Sequence, residues 1–519
     1  MSIFMTWDKK PFFAGTYFPP KSHYGMPGFP DLLDVIVSQW NNNRRKLLQS
    51  AEQIITHLKS AESGDKNIDD EELIKRAMQI FSESFDEING GFSSAPKFPT
   101  PHNLLFLMLY AKHKQDSDAL KMAEKTLLQM RKGGIFDHIG YGFSRYSTDK
   151  YFLAPHFEKM LYDNALLIIA YSAAYYLTNN EIYLDTAEKT TEYILREMTS
   201  ADGGFYSAQD ADSEGVEGKY YTFTLDEIIN VLGEEKGKRF AESFDITSNG
   251  NFEGVNILNL LKSNDLESDF SEEIHKLYDY RKKRTNLHLD NKILLSWNSL
   301  MIAALSMFYR VSRNEKYLNA VVNAQKFIEE NMCDGVQLFT SWRDGKHSEK
   351  SFLDDYAFYI ASLIELYNST LDKIYLEKAE RFCDEAVRQF EDCQRDGFYL
   401  CEASYTEIFM NPKETYDGAI PSGNSVMAYN FVRMFQLTEN EKYRKLTEKQ
   451  FEFLSVQAQD YPAGNSVFLL SKLLYENPPE HIVIAVKHKS DFQEIQKELP
   501  FLANVSVVLD SVDYPLKND

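Results

Sequence analysis

The chain is poor in cysteine, with four in 519 residues (Cys333, Cys383, Cys393 and Cys401), and no two of them stand as C-x-x-C. The last three have neither zinc-finger spacing nor histidines close by to complete a ligand set, so reduced structural thiols are expected, with no metal and no cofactor. Long hydrophobic runs are missing too. No stretch approaches about 18 consecutive apolar residues, and the opening MSIFMTWDKK has no basic segment leading into an apolar one. The expectation is a soluble, cytoplasmic protein. Positive charge is in deficit, with 56 Lys and Arg against 78 Asp and Glu, and a formal net charge of -22 repels phosphate backbones and anionic lipid heads. Nucleic acid and membrane surfaces are set aside as partners. Apolar side chains are plentiful: 43% of residues are hydrophobic and 14% aromatic, enough for one large core or two to three domains.

Repeats carry the most information. DALKMAEKTL, EIYLDTAEKTTEYI, EKYLNAVVNAQKFI, KIYLEKAERFCDEAV and EKYRKLTEKQFEFL are variants of one helix. With Leu120, Tyr183, Tyr317, Tyr375 and Tyr443 as register marks, the intervals are 63, 134, 58 and 68 residues, and 134 is two intervals of 67. A sixth copy is therefore expected inside the long interval, at the degraded EEKGKRFAESF near residue 240. Each copy keeps helical spacing of its apolar positions, as in Tyr317, Val321, Ala324 and Ile328, so each buries one stripe and leaves Glu and Lys to solvent.

Between successive copies lies a more apolar helix: NLLFLMLYAKH, NALLIIAYSAAYYL, SLMIAALSMFYRV, YAFYIASLIELY and SVMAYNFVRMFQL. A helix apolar around most of its circumference needs burial on all sides. A flat array of inner and outer helices leaves its end faces bare, whereas a ring does not. Residues 70–476 are accordingly expected to form a mainly α (α/α)6 toroid of six helical hairpins. After the outer helices come glycine-punctuated segments such as KGGIFDHIGYGFSRYS, ADGGFYSAQDADSEG and CDGVQLFTSWRDGKHS. Glycine ends the helices, and the alternation that follows reads as short hairpins. These segments all lead from outer to inner helices, so they must share one rim.

That rim concentrates polar groups. YFLAPHFEKMLYDN, residues 151–164, opens one inner helix, and SAPKFPTPHN, LLSWNS, KSFLDDYAF and AIPSGNSVMAY are its counterparts. Helix N-termini add free N–H groups and partial positive charge there. Trp297, Tyr162, Tyr356 and Phe157 offer aromatic faces to sugar C–H surfaces, with Asn298, Arg145 and Lys97 as polar contacts. A small-molecule carbohydrate is the expected partner. Glycoside cleavage needs two carboxyls, about 5.5 Å apart for retention or about 6.5–9.5 Å for inversion. Glu158, Asp163, Asp210, Asp212, Glu214, Asp354 and Asp355 are the candidates, and for Asp354 a helix cap is an equal reading. Epimerisation would use histidine instead, and His138 and His156 stand on neighbouring rim segments. The acidic spacing in AQDADSEGVEGKYY lacks the closing Glu of a calcium loop.

DKKPFFAGTYFPP, GGFSSAPKFPTP, GGIFDHIGYGFSRYS, APHFEKMLYDNA, GGFYSAQDADSEGVEGKYYTFT, DNKILLSWNSLMI and GAIPSGNSV, in this order, resemble the YyaL-type, spermatogenesis-associated thioredoxin-fused family over essentially the whole chain. The resemblance implies a thioredoxin-like domain followed by a six-hairpin toroid similar to glycosidases and N-acylglucosamine 2-epimerases. The family's C-H-W-C motif has no counterpart here. Residues 1–62 are thus expected to be a remnant holding the closing hairpin, SIFMT with FFAGTY, and the last helix of that domain. No thiol–disulfide exchange is expected from this chain. The family's paired aspartates before SWN appear as Asp290 and Asn291, and its glycine as Ser299. Residues 477–519 read as a small β-α-β appendage, HIVIAVKH, SDFQEIQKEL and NVSVVLD. Two functions follow from the rim: a carbohydrate-acting enzyme, hydrolase- or epimerase-like, or a non-catalytic sugar- or protein-binding domain once paired with a thioredoxin domain.

Overall fold

The computed structural model describes residues 1–23, 25–60, 70–263, 266, 268–348, 350–405, 410–486, 495, 499 and 504–509. An antiparallel hairpin, Ser2–Met5 against Pro11–Gly15, leads to helix α1 (Phe29–Ser60), which breaks at Asn43. Phe12 stacks on Trp40 with ring centroids 5.8 Å apart, while Trp7, Val35 and Val37 face solvent. The chain then runs through α2 (Asp70–Ser84), α3 (Pro101–Lys114), α4 (Ser117–Lys132), α5 (Leu161–Thr178) and α6 (Glu181–Glu197). Three short helices follow, α7 (Leu225–Leu232), α8 (Glu234–Ser243) and α9 (Ser271–Arg284). Next come α10 (Leu295–Ser312), α11 (Glu315–Asn331), α12 (Leu353–Thr370) and α13 (Lys373–Phe390). The helical part ends with α14 (Gly423–Thr438), α15 (Glu441–Gln457) and α16 (Ser466–Glu476).

The expected ring is present. Among the described residues α3, α5, α10, α12, α14 and α16 pack each on the next, and α16 returns to α3. Their near-continuous apolar surfaces are buried, as Leu167, Ile302, Ile360 and Phe431 show. The outer helices α4, α6, α11, α13 and α15 each pack on the inner helix that precedes them. The joint between the two is the same five times. The inner helix ends in a left-handed residue (Gln115, Asn179, Arg313, Leu371, Glu439), and the following Asp116, Asn180, Asn314, Asp372 or Asn440 caps the outer helix through its side chain.

The sixth outer helix is not where the repeat spacing puts it. EEKGKRFAESF does form a helix, α8, but Phe240 and Phe244 pack with Phe223, Ile228, Phe270 and Leu277 in a cluster of their own, and α5 packs directly on α10. Residues 225–284 are an insertion between hairpins. The vacant outer place is taken by α2, whose Leu73, Ala77 and Phe81 join the main core, with the Phe81 ring 5.9 Å from that of Phe106 on α3. The ring is closed by both ends of the helical segment. Beyond it, His481–Val486 and Asn504–Leu509 form a parallel pair, and the expected helix between them falls largely outside the described residues.

The outer-to-inner segments do share one rim, where they hydrogen-bond to one another. Lys159–Met160 pairs with Ala208–Gln209, which pairs with Leu289–Asp290, and Ile293–Leu294 pairs with Ser341–Arg343. Three of these segments are also clamped to the inner helix they lead into. Asn164 Oδ1 accepts from Phe143 N at 2.7 Å while its Nδ2 donates to Phe143 O and Met160 O. Asn298 does the same with Phe205 and Leu294, and Asn424 with Phe398 and Glu414. Truncating a clamp strands a buried N–H and C=O. Asn164→Ala should lower unfolding free energy by about 3 kcal/mol in urea titration, and a loss below about 0.5 kcal/mol would show the clamp to be dispensable.

Candidate functional site

Two neighbouring groups of ionisable side chains occupy the rim. The first sits where α5 begins. His156 Nδ1 lies 2.7 Å from Glu217 Oε1 and its Nε2 3.5 Å from Glu158 Oε2, with the ring stacked on Tyr146 at 5.2 Å. Arg145 Nη1 reaches Glu158 at 3.2 Å and also faces the Tyr162 hydroxyl. Tyr162 meets Trp297 edge-to-face with centroids 4.8 Å apart, so α5 and α10 jointly present an aromatic corner. Beneath it Asp163 is buried, and its Oδ2 has no hydrogen-bond partner among the described residues. Burial pushes the Asp163 carboxyl well above the usual range, and the nearby Glu158 charge adds to this against the pull of Arg145.

The second group rings the starts of α10, α12, α14 and α16. Asp355 is buried; its Oδ2 accepts from Phe352 N at 3.0 Å and Thr340 Oγ1 at 2.8 Å, and Ser296 reaches it as well. Asp355 is the cap of α12, although burial still raises its pKa. Its neighbour Asp354 reaches the next hairpin, accepting from the Gly423 main chain, and a Cβ at Gly423 would collide with Asp354 Oδ1. Burial, then the negative charges of Asp355 and Glu414, push Asp354 up to about 7. Asp417 takes Ser422 N at 3.0 Å and Val467 N at 2.8 Å, and burial holds its carboxyl up at about 6. A protonated carboxyl at such a rim can donate a hydrogen bond or a proton to an oxygen.

The candidates divide sharply. Arg145, His156, Glu158, Tyr162, Asp163 and Trp297 come together at one point of the rim. Asp210 and Asp212 are exposed on a hairpin, and Asp210 Oδ1 accepts from Asp212 N at 3.3 Å; it is Glu217, on the returning strand, that reaches His156. The rest are committed to structure. His138 is buried between Arg131 Nη1 at 3.3 Å and Gly133 O at 3.1 Å, and burial pushes it down to about 3. Lys97 is spent on Asp86 and Gly90 O, both at 2.7 Å. Phe157 is buried against Tyr221, ahead of the insertion, with ring centroids 5.5 Å apart. Tyr356 donates to Val336 O at 2.8 Å inside the core, and Asn298 is a clamp. Sequence reading missed Glu217 and Asp417 and divided Asp354 evenly between cap and catalytic acid; the doubled acid of SFLDDYAF was the signal, since one carboxylate is enough to cap a helix.

Comparison with known proteins places the chain. Residues 1–59 match the thioredoxin-like DsbH family model, described as a protein of unknown function, DUF255. The human spermatogenesis-associated protein 20 is 34% identical over 500 residues, covering 85% of this chain and 64% of its own length. The uncharacterized protein B0495.5 of Caenorhabditis elegans is 32% identical over 565 residues, covering 98% of this chain and 76% of its own. The chain belongs to the spermatogenesis-associated, thioredoxin-fused family. It spans just under two thirds of the length of the human member. Among solved structures, the fold of this family member is similar to a D-mannose isomerase (TM-score 0.53, 12% identity, 78% of this chain and 96% of that one). It is similar also to cellobiose 2-epimerase from Bacillus thermoamylovorans (TM-score 0.51, 13% identity, 78% and 98%). At such identities the likeness establishes the toroid fold. Among the described residues, no helix is long and apolar enough to cross a membrane.

In this family member Asp354 offers a titration test. The folded chain holds the Asp354 proton to higher pH than the unfolded chain does, so stability is lost as pH rises from the ordinary 3.8 to about 7. Asp354→Asn keeps an acceptor for Gly423 and removes that loss. Thermal unfolding of the variant should match wild type below pH 4 and exceed it by on the order of 1 kcal/mol above pH 7. A pH-independent difference would mean that Asp354 titrates normally.

Proposed function

We propose that the glycine-loop rim holds a carbohydrate and acts on it by acid–base chemistry, as a hydrolase or an epimerase. The observation that carries this reading is the pairing of two proton-holding carboxyls, the buried Asp163 and the half-buried Asp354, with the Trp297–Tyr162 corner. Aromatic faces suit the C–H surfaces of a sugar, and Arg145, His156 and Glu158 are planar polar groups suited to its hydroxyls. For hydrolysis, a carboxyl kept neutral by burial protonates the departing glycosidic oxygen. For epimerisation, His156, held between Glu158 and Glu217, takes the proton from a sugar carbon. By their names, the mannose isomerase and cellobiose epimerase that share the fold act on sugars, which supports the substrate class.

A non-catalytic sugar-binding role is the second reading, favoured by one fact: Asp355, His138, Lys97 and Asn298 are all consumed by structural hydrogen bonds. A screen of hydrolysis and isomerisation over mono- and disaccharides separates the two. Turnover that falls at least 100-fold in both Asp163→Asn and His156→Ala supports the enzyme. Turnover indifferent to both removes the site assignment, and saturable binding with no turnover establishes the binder.

A further inference from the structure

The axis of the toroid is not filled. Below the rim the six inner helices line a partly open cavity of about 180 Å³, walled by side chains such as Met108, Leu166, Leu300, Phe358 and Val426. An apolar cavity of about 150 Å³ stays dry and accepts benzene, so this one has room for a compact molecule of about six to eight non-hydrogen atoms. Toward the far end Glu365 is paired with Arg310 at 2.5 Å and accepts from the Tyr429 hydroxyl at 2.8 Å, while Lys112 lies exposed at the edge with its ammonium over the Tyr176 ring. At the rim end the polar lining is unsatisfied. His102, on the first turn of α3, lines the cavity and is 1% exposed, and neither ring nitrogen has a hydrogen-bond partner among the described residues. The Asp417 main chain lies near enough to be felt by the ring but out of bonding geometry.

An orphaned buried polar atom costs about 1–3 kcal/mol, and a leucine or phenylalanine would fill this place without that cost. Burial pushes His102 down to about 4, so the ring is neutral at physiological pH, with one nitrogen donating and the other accepting.

We infer that the axial cavity is a binding site for a small, mainly apolar molecule carrying one hydroxyl or carbonyl group, which hydrogen-bonds to His102. This site lies below the rim, meeting it only at His102, and does not rest on the carbohydrate reading: its walls are mainly hydrocarbon, and away from Lys112 and the paired Glu365 its polar anchor is His102, where a sugar needs many.

Phenol and benzene test it, since they share a shape and differ by one hydroxyl. Calorimetric titration of the full chain should show both binding, and His102→Phe should cut the affinity of phenol relative to benzene about tenfold. Ala303→Leu, which fills the wall of the cavity, should abolish both. In wild type alone, the His102 ring nitrogen resonances should shift with phenol and stay in place with benzene, so the test survives a variant that fails to fold. Absence of benzene and phenol binding up to their solubility limits overturns the proposal. So does an unchanged phenol-to-benzene ratio in His102→Phe, which would leave a cavity indifferent to the histidine.

Discussion

Helices apolar on nearly every side admit few arrangements, and the ring of α3, α5, α10, α12, α14 and α16 exists because each needs a neighbour on both flanks. Closure depends on the contact between α16 and α3, elements separated by most of the chain. A long-range contact of this kind adds loop-closure entropy without adding strain, and the entropic cost grows only slowly with the length of chain enclosed. That slow growth also explains why a whole insertion, α7 to α9, could enter between α6 and α10 while α5 still packs on α10. The insertion carries a largely separate hydrophobic cluster, joined to the ring through Ile139 and the Arg281–Asp137 pair.

Once the inner helices are fixed side by side, their N-termini are fixed as well, and the rim inherits an electrostatic conflict. Backbone N–H groups favour carboxylates at each helix start, and Asp355, Asp354 and Asp417 take such bonds. Burial disfavours the same negative charge. For these three the second effect exceeds the first, and the carboxyls keep their protons to unusually high pH. At Asp137 the balance reverses, because Arg281 makes two bonds to it at 2.9 and 3.0 Å and Lys159 a third at 2.8 Å. Those cations overcome burial and hold Asp137 well below the usual carboxylate range. Whether a rim acid is a structural anion or a proton donor is thus decided by whether a cation arrives with it.

The ring and its glycine rim were legible because both are written in local periodicity: tyrosine-marked amphipathic helices, apolar helices between them, and glycine after each pair. The sixth hairpin was misplaced for a physical reason. Spacing alone cannot distinguish a degraded repeat from an inserted helix, and α8 has the amphipathic stripe of an outer helix while burying it in a different cluster. Site residues were legible in part. His156, Glu158, Tyr162 and Trp297 were found by their position at helix starts, but so were Asn298 and Tyr356, which point into the protein. Asparagine in LYDN, LSWN and PSGN recurs at the same turn of three inner helices, and that recurrence marks a repeated backbone clamp instead of a site, since a ligand contact has no reason to repeat around a ring.

The insertion then acquires a role that the hairpin repeat lacks. Glu217, which holds His156 at 2.7 Å, stands on the hairpin Asp212–Ser213 with Val216–Glu217, ahead of α7. That hairpin is tied down from the insertion side: Arg284 of α9 donates to the carbonyls of Lys219, Tyr220 and Thr222, and Ser213 Oγ to Asn286 O. Arg281, one turn earlier, anchors the same helix to Asp137 on the neighbouring rim segment. The orientation of His156 is therefore set by a chain of contacts running from Asp137 through α9 to Glu217. A bare ring of hairpins would present the aromatic corner and the buried acids, but its histidine would lose Glu217 and keep only Glu158 and the Tyr146 ring. In this toroid the departure from the repeat is what gives one point of the rim a chemistry different from the rest.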